Sequence, residues 1–419
     1  METRPATFAA LRERNFAIMW SANALSNIGS WLQLLAVPVV IYSITGSGTW
    51  LGIAGFFGYI PMTLAGPYAG SIADRFQRRK VLLVGSVVQL FVAGCLWLLW
   101  TSGQREVIFY ILVMAVGSVV GGLTVASWQS FVADLVPRSL LQNAIVLNTT
   151  QYNVARAIGP TLGGVILATL GVGWCFAINS LSYLAITLAL TVVHVANRTR
   201  DTGDGRARPI REMLEAVREL RRIPGIVTCF TIVPSLGAVN GPLFSLLVVF
   251  ADDVYHLDRT GYGLLAGCLG FGAVATSPFV AGPGSRVRRS RMVSRAMVGY
   301  GAALVLLGAA STPLVGGLGL LVAGSCFLMV SSTLNTTLQL QVPEEMRGRA
   351  MAGYVAVFTL GIPFGSLVQG WMVDIVGVRW TVAGAGVVIL ATWFVVRWVI
   401  GRLPTLDGDQ QHSSSPALI

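Results

Sequence analysis

The chain has 419 residues, of which 54% are hydrophobic and 11% are charged, and its mean hydropathy is +0.71. A soluble protein of this length would expose far more polar surface, so the composition excludes an ordinary soluble domain and favours a bilayer protein. The net charge of +11 would suit a nucleic-acid-binding protein, but the basic residues alternate with apolar segments and form no continuous face, so we expect no nucleic-acid partner.

The apolar segments are long enough to cross a membrane as helices. Residues 16–44, 50–73 and 81–100 contain no charged residue, and ~20 helical residues span the ~30 Å of bilayer hydrocarbon. The pattern predicts an all-α membrane protein with twelve transmembrane helices. We place them near residues 16–44, 50–73, 81–101, 107–133, 140–170, 173–197, 223–251, 261–282, 292–311, 313–340, 350–373 and 379–401.

The polar residues 198–222 divide the predicted helices into two sets of six. Apolar residues recur there at helical spacing with arginines between them, which predicts an amphipathic helix on the inner membrane surface. We therefore expect an N-terminal six-helix bundle at residues 1–197, this cytoplasmic linker, a C-terminal six-helix bundle at residues 223–402 and a disordered tail at residues 403–419.

The basic residues also predict the orientation of the chain. Of its 29 Lys and Arg residues, only Arg105, Arg259 and Arg379 fall in loops placed outside the cell, and Arg156 falls within a predicted helix. Cytoplasmic loops carry the excess of Lys and Arg, so both termini are expected in the cytoplasm of a cell whose inner (plasma) membrane holds the protein.

Part of the sequence occurs twice. Val136-Pro137 recurs as Val342-Pro343. At the same spacing Gly159, Gly164 and Trp174 recur as Gly365, Gly370 and Trp380. Repeats of this kind build two similar membrane halves with a solute site between them. We therefore expect two pseudo-symmetric six-helix bundles that transport a small molecule.

The loop after the second predicted helix reads Gly70-Ser71-Ile72-Ala73-Asp74-Arg75-Phe76-Gln77-Arg78-Arg79. Gly70 would let two helices approach closely, and Arg78, one turn after Asp74, could pair with it. The run resembles the G-x-L-A-D-R-x-G-R-R signature of the major facilitator superfamily, with Gln77 replacing the second Gly. The resemblance implies a cytoplasmic latch of Gly70, Asp74, Arg75, Arg78, Asp134 and Arg347. Alternatively, the basic residues of this loop only set the topology.

The fifth predicted helix contains Gly159-Pro160 followed by Gly163-Gly164. Such a pattern bends a membrane helix and leaves a smooth groove for a neighbouring helix. With Arg156, it resembles the antiporter motif of facilitator-type drug exporters, which implies export; the alternative is a packing kink. Arg156 is also the one charge deep within a predicted span, so it either marks a site or extends to the membrane surface.

In facilitator folds the first, fourth, seventh and tenth helices line the cavity, so the resemblance implies further cavity residues there. Together with polar residues of the fifth helix, the candidates are Asn23, Asn27, Gln33, Trp128, Gln129, Asn148, Tyr152, Asn240, Asn335 and Gln339. Any one of them could instead form an interhelical hydrogen bond, worth only ~0.6 kcal/mol on average.

No acidic residue lies near the middle of a predicted helix, so the residue that would carry a coupling proton is not visible in the sequence. Glu106, Asp134 and Asp374, near helix ends, are the candidates. The sequence contains no G-x-x-x-x-G-K-[ST] loop, no Ser/His/Asp arrangement and no zinc-ligand spacing. We therefore expect no cofactor, no metal and no enzymatic activity.

The resemblance covers residues 10–402 and points to the bacterial branch that includes the enterobactin exporter and macrolide efflux proteins. It implies a monomeric secondary exporter that moves a small amphipathic molecule, such as a drug or antibiotic, through the lipid bilayer in exchange for protons. One alternative is export of a siderophore or another metabolite. The other is a membrane sensor of the same fold that does not transport and has lost the polar cavity and the latch.

The orientation gives a first testable prediction. A cysteine introduced at His256 should react with a membrane-impermeant thiol reagent in intact cells, whereas cysteines at Gln77 and Gly205 should react only after permeabilisation. The reason is that the loops rich in arginine stay on the cytoplasmic side. Labelling of position 205 from outside would contradict the division into two sets of six helices.

Overall fold

The structure, a computed structural model, describes residues 8–193 and 223–411. Over these ranges it contains twelve α-helices of 17 residues or more and no β-strand. They are α1 (Arg14–Thr45), α2 (Gly48–Arg75), α3 (Arg78–Thr101), α4 (Val107–Asp134), α5 (Leu141–Thr169), α6 (Val172–Val192), α7 (Pro224–Val249), α8 (Arg259–Ala281), α9 (Arg289–Ala309), α10 (Pro313–Gln341), α11 (Glu344–Val376) and α12 (Val378–Phe394). The predicted all-α membrane fold is confirmed.

Six shorter elements complete the described chain. π-helical turns extend α7 over Phe250–Val254 and α12 over Val395–Val399. The 3₁₀ helices are Ala9–Arg12, Arg138–Leu140, Pro283–Arg286 and Leu403–Gln411. Most connections between the long helices are therefore only a few residues long, as expected for helices that cross back and forth.

Ten of the twelve long helices are long and apolar enough to cross a membrane. The two that fall short, α2 and α5, have 28 and 29 residues, so their composition and not their length sets them apart. Gly, Pro and Tyr lower the hydropathy of α2, and in α5 the apolar part is confined to Ile158–Thr169. The polar first half of α5 is therefore unusual for a membrane helix.

The predicted helix boundaries agree with the observed ones to within a few residues in most cases. The largest difference at a helix start is in α11, which begins at Glu344 and not near residue 350. The prediction took only the apolar segment, which stops at charged residues such as Arg347 and Arg349. The helix itself continues through these residues, because a helix can extend beyond the hydrocarbon region.

The chain forms two compact units. The first contains Met1–Gly46, Phe57–Ala207 and Leu257–Gly267. The second contains Ser47–Phe56, Arg208–His256 and Cys268–Ile419. The start of α2 thus packs with the second unit and the start of α8 with the first, which the sequence did not predict. The predicted linker at residues 198–222 lies outside the described residues, as does its amphipathic helix.

The same helix pairs recur six helices later along the chain. In the first half α1 packs against α5 and α6, and α3 packs against α4 and α6. In the second half α7 packs against α11 and α12, and α9 packs against α10 and α12. Because the packing partners repeat in order, the two sets of six helices are pseudo-symmetric, as the sequence repeat predicted.

One buried apolar cluster joins the start of α1 to the ends of α4 and α6. Phe16 and Met19 of α1 meet Phe131 of α4 and Leu190 of α6, each with almost no exposed surface. Close packing of these side chains ties the ends of three helices together.

The prediction of a disordered tail from residue 403 is wrong for Leu403–Gln411, which forms a 3₁₀ helix with Leu403 and Leu406 buried. The Asp407 carboxylate accepts hydrogen bonds from the backbone N–H of Ser290 (2.9 Å) and from its hydroxyl (2.6 Å). Gln341 Nε2 donates to the carbonyl of Thr405 at 2.9 Å. Polar composition suggested disorder, but here the polar groups bind the ends of α9 and α10.

This contact predicts an effect on stability. Asp407→Ala should lower the free energy of unfolding by about 1–2 kcal/mol, because the start of α9 loses its capping carboxylate. Thermal melting of the purified protein in detergent would measure the change. Pro404→Ala, which alters an exposed side chain of the same 3₁₀ helix, is the matched control and should melt with the wild type. Equal melting of all three proteins would contradict a structural role for Asp407.

Candidate functional site

The loop between α2 and α3 holds an ion pair. Arg78, the first residue of α3, donates from Nη1 to Asp134 Oδ2 at 2.7 Å, and the side chains are only 22% and 12% exposed. Asp134 is the last residue of α4. The pair therefore ties the ends of two neighbouring helices through a short, charge-assisted hydrogen bond.

Two expectations for this loop are wrong. Asp74 is exposed and forms no ion pair or hydrogen bond with any described residue, so it does not pair with Arg78. The one-turn spacing assumed a continuous helix, but α2 ends at Arg75 and the chain turns before α3 begins. Gly70 does not mark a close helix crossing, since a Cβ built there would meet nothing within 4 Å.

The remaining latch candidates occupy different surroundings. Arg75 is exposed in the last turn of α2, and Arg347 is exposed in the first turns of α11. Arg79 was not a candidate, yet its Nε donates to the Leu190 carbonyl at 2.6 Å and its Nη2 to the Thr191 carbonyl at 2.8 Å. Its guanidinium thus binds the last carbonyls of α6, which a helix leaves without partners.

The antiporter-like segment lies inside α5, which continues through the buried Pro160. A Cβ on Gly159 would lie 2.6 Å from Cβ of Trp31, so the indole of α1 packs directly on the helix backbone. Gly164 faces Gly263 of α8 so closely that neither could carry a Cβ. Gly163 has ordinary contacts to α1. Two of these glycines therefore allow close helix contacts on different sides of α5.

Arg156 is half-buried one turn before this segment. Asn148 and Tyr152 precede it at four-residue spacing and share its helical face. Tyr152 is 52% exposed, and Thr149 and Asn153 beside it are also exposed. The middle of α5 thus presents a polar, accessible surface next to its single cation.

Hydrogen bonds join this part of α5 to α1. Gln151 Nε2 donates to the Trp20 carbonyl at 2.9 Å, and its Oε1 accepts from Asn23 Nδ2 at 3.4 Å. Trp20 Nε1 donates to the Leu147 carbonyl at 3.2 Å. Gln151, which the sequence did not single out as a site residue, therefore fixes the relative position of α1 and α5.

The other candidate cavity residues of the first unit do not lie together. Gln33 accepts from Asn179 of α6 at 2.7 Å, and Asn27 is half-buried. Trp128 packs against the apolar cluster, whereas Gln129 is exposed. The structure thus brings Asn23 to Gln151 of α5 and assigns Gln33 to a contact with α6.

In the second unit, Gln339 and Asn335 pair with each other along α10, since Gln339 Nε2 donates to Asn335 Oδ1 at 2.6 Å. Asn240 of α7 is buried, and its Oδ1 accepts no hydrogen bond from the residues described. These three candidates form no cluster comparable with the polar face of α5.

The sequence profile of the transmembrane secretion effectors, a family of the major facilitator superfamily, matches residues 5–418. The chain belongs to the major facilitator superfamily. Similar proteins of this superfamily are named as transporters, so the polar face of α5 and the Arg78–Asp134 pair lie in a protein of a transporter family.

Similar facilitators include named exporters. Macrolide efflux protein A of Streptococcus pyogenes is 20% identical over 404 residues, which cover 94% of this chain and 97% of that protein. The enterobactin exporter EntS of Citrobacter koseri is 26% identical over 360 residues, which cover 85% and 84%. A crystal structure of a POT family transporter in complex with a thioalcohol-conjugated peptide matches with TM-score 0.75 at 12% identity, over 93% and 96% of the two chains, and shows the shared fold.

The two acids of the predicted latch should behave differently when neutralised. Asp134→Asn should lower the free energy of unfolding by about 1–3 kcal/mol, because the mostly buried Arg78 loses its anion. Asp74→Asn should leave stability unchanged but lower transport, as expected if Asp74 pairs only in another conformation. Thermal melting and substrate efflux would be measured for both variants. Wild-type transport by Asp74→Asn would reduce Asp74 to a topology residue.

Proposed function

We propose that this facilitator is a secondary exporter of a small amphipathic molecule, working by alternating access in exchange for protons. The observation that carries the proposal is the polar, accessible face of α5. Thr149, Tyr152 and Asn153 are exposed near the middle of this helix, and Arg156 lies half-buried beside them.

Such a face does not suit contact with lipid. Hydrocarbon cannot satisfy the exposed hydroxyl and amide groups of Thr149, Tyr152 and Asn153. We therefore infer that this face lines a cavity that water and substrate can enter. The Gln151 hydrogen bonds to α1 hold the face in place, so the polar groups are positioned before a substrate arrives.

The side chains of this face suggest the chemistry of the substrate. Tyr152 offers aromatic surface, the amides of Asn148 and Asn153 offer donors and acceptors, and Arg156 offers a positive charge. A molecule with an apolar body and a few polar or anionic groups would use all three features. This is the sense in which we propose an amphipathic substrate.

The direction of transport and its energy source have separate support. The glycine and proline pattern of α5 resembles the antiporter motif, and relatives named as a macrolide efflux protein and an enterobactin exporter support export. The sequence has no phosphate-binding loop, which favours coupling to an ion gradient over ATP hydrolysis.

A second candidate is export of a siderophore or another metabolite, favoured by the 26% identity to the enterobactin exporter. A non-transporting sensor is a weaker candidate, because the polar face of α5 and the Arg78–Asp134 pair are both present. Efflux from proteoliposomes under an imposed pH gradient would compare a macrolide with enterobactin. Efflux of neither, or efflux that ignores the gradient, would contradict proton-coupled export of these classes.

Arg156 gives a sharper test. Arg156→Ala should lower efflux of an anionic dye by about tenfold or more, because one charge-assisted hydrogen bond is lost, while a cationic dye of similar size should be transported at least as well as before. Efflux of both dyes would be measured in the same proteoliposomes. Arg105→Ala is the matched control, since Arg105 stacks on Trp100 in an exposed loop at 4.9 Å. Equal loss for both dyes would indicate a structural role for Arg156.

A further inference from the structure

The repeated glycines Gly164 and Gly370 occupy corresponding helix crossings. In the first unit Gly164 of α5 meets Gly263, close to the start of α8. In the second unit Gly370 of α11 meets the start of α2, where a Cβ on Gly370 would lie 2.6 Å from Gly52 Cα. In each repeat, the glycine at the equivalent position thus packs against the first turns of another helix. The arginine distribution places both crossings at the outer end of the helices.

The two crossings differ in which residue caps the N-terminus of the helix that begins there, α8 in one and α2 in the other. At the start of α8, Asp258 Oδ1 accepts from the backbone N–H of Gly261 at 2.8 Å, so the cap comes from the same segment. The turn before α2, Thr45–Gly48, contains no acidic residue. The carboxylate that caps the start of α2 belongs to Asp374 of α11, which is distant in the sequence.

Asp374 receives three donors from the start of α2. Its oxygens accept from the Ser47 hydroxyl at 2.7 Å, from Gly48 N–H at 2.6 Å and from Thr49 N–H at 2.9 Å. Helix starts leave N–H groups without partners and carry partial positive charge, so an ionised carboxylate is well matched to this position. These bonds are charge-assisted and short, and they join two separate helices.

The contact between α2 and α11 continues below Asp374, where it is closely packed and apolar. Ser366 of α11 is buried against α2, since a Cβ on Gly52 would lie 2.5 Å from its carbonyl oxygen. Phe56 and Phe364 follow, with ring centroids 5.9 Å apart in an edge-to-face arrangement. Within this α2–α11 contact, as far as the described residues go, Asp374 supplies the charged interaction and the rest is contact between small or apolar groups.

We propose that Asp374 is a clamp that holds the start of α2 on α11 and so keeps the outer end of this crossing closed. The clamp rests on the alternating access of the proposed function, because a transporter must open this end to release substrate outside. At the α5–α8 crossing, the Asp258 carboxylate caps its own segment. At the α2–α11 crossing, the capping carboxylate comes from the opposite helix.

The test uses Ser366→Cys as a reporter of opening, because the exchange is nearly isosteric and the position is buried under α2. A membrane-impermeant maleimide is added to the substrate-free, full-length protein in proteoliposomes, without a pH gradient. Labelling is read by mass spectrometry on the peptide that carries position 366, so the native cysteines stay in place. Asp374→Asn should label at least about tenfold faster than the wild type, as expected when a charge-assisted hydrogen bond is lost.

Two variants give the matched comparison. Asp374→Glu keeps a carboxylate and should restore slow labelling in part, and Asp258→Asn removes the local cap of α8 and should label at the wild-type rate. Unchanged labelling in Asp374→Asn, or an equal rise in Asp258→Asn, would overturn the clamp. So would a parallel rise at Thr333→Cys, a buried position of α10 that reports general loss of structure. Because no transport is measured, failure of proton-driven efflux would reject the proposed function without affecting this result.

Discussion

A helix in a bilayer satisfies its own backbone except at its two ends, and those ends shape much of this structure. Four carboxylates of the described residues lie at such helix ends. Asp134 binds Arg78 at the start of α3, and Asp258 caps α8. Asp374 and Asp407 reach across to the starts of α2 and α9 from distant parts of the chain. A carboxylate that would be costly in the middle of a span can thus satisfy the unpaired N–H groups where a helix begins.

The spans themselves are joined by a different kind of contact. Without a hydrophobic driving force between helices, close approach and interhelical hydrogen bonds determine which helices pack. Glycines supply the close approach at the start of α2 and at the start of α8. Gln151 supplies hydrogen bonds between α1 and α5, so α1 positions this part of α5. The candidate site is therefore held by α1 and accessible from its other side.

The sequence predicted the helices well because length and hydropathy are local properties. It also indicated Asp134 and Arg78 together, through the family resemblance, and the structure joins them. It was wrong about the Asp74–Arg78 pair, since a turn that breaks helical spacing is hard to see in one sequence. The bonds of Gln151 and Asp374 were not visible, because their partners lie far along the chain. Local periodicity carries no information about such contacts.

The contact between Gly164 and Gly263 has an evolutionary consequence. Neither residue can gain even a methyl group while the other helix stays in place, because an added Cβ would overlap the opposite backbone. The two positions are therefore expected to covary among related sequences, with a larger residue at one tolerated only where the helices have moved apart. Such a pair would let an alignment of relatives report the spacing of α5 and α8 in proteins whose structures have not been determined.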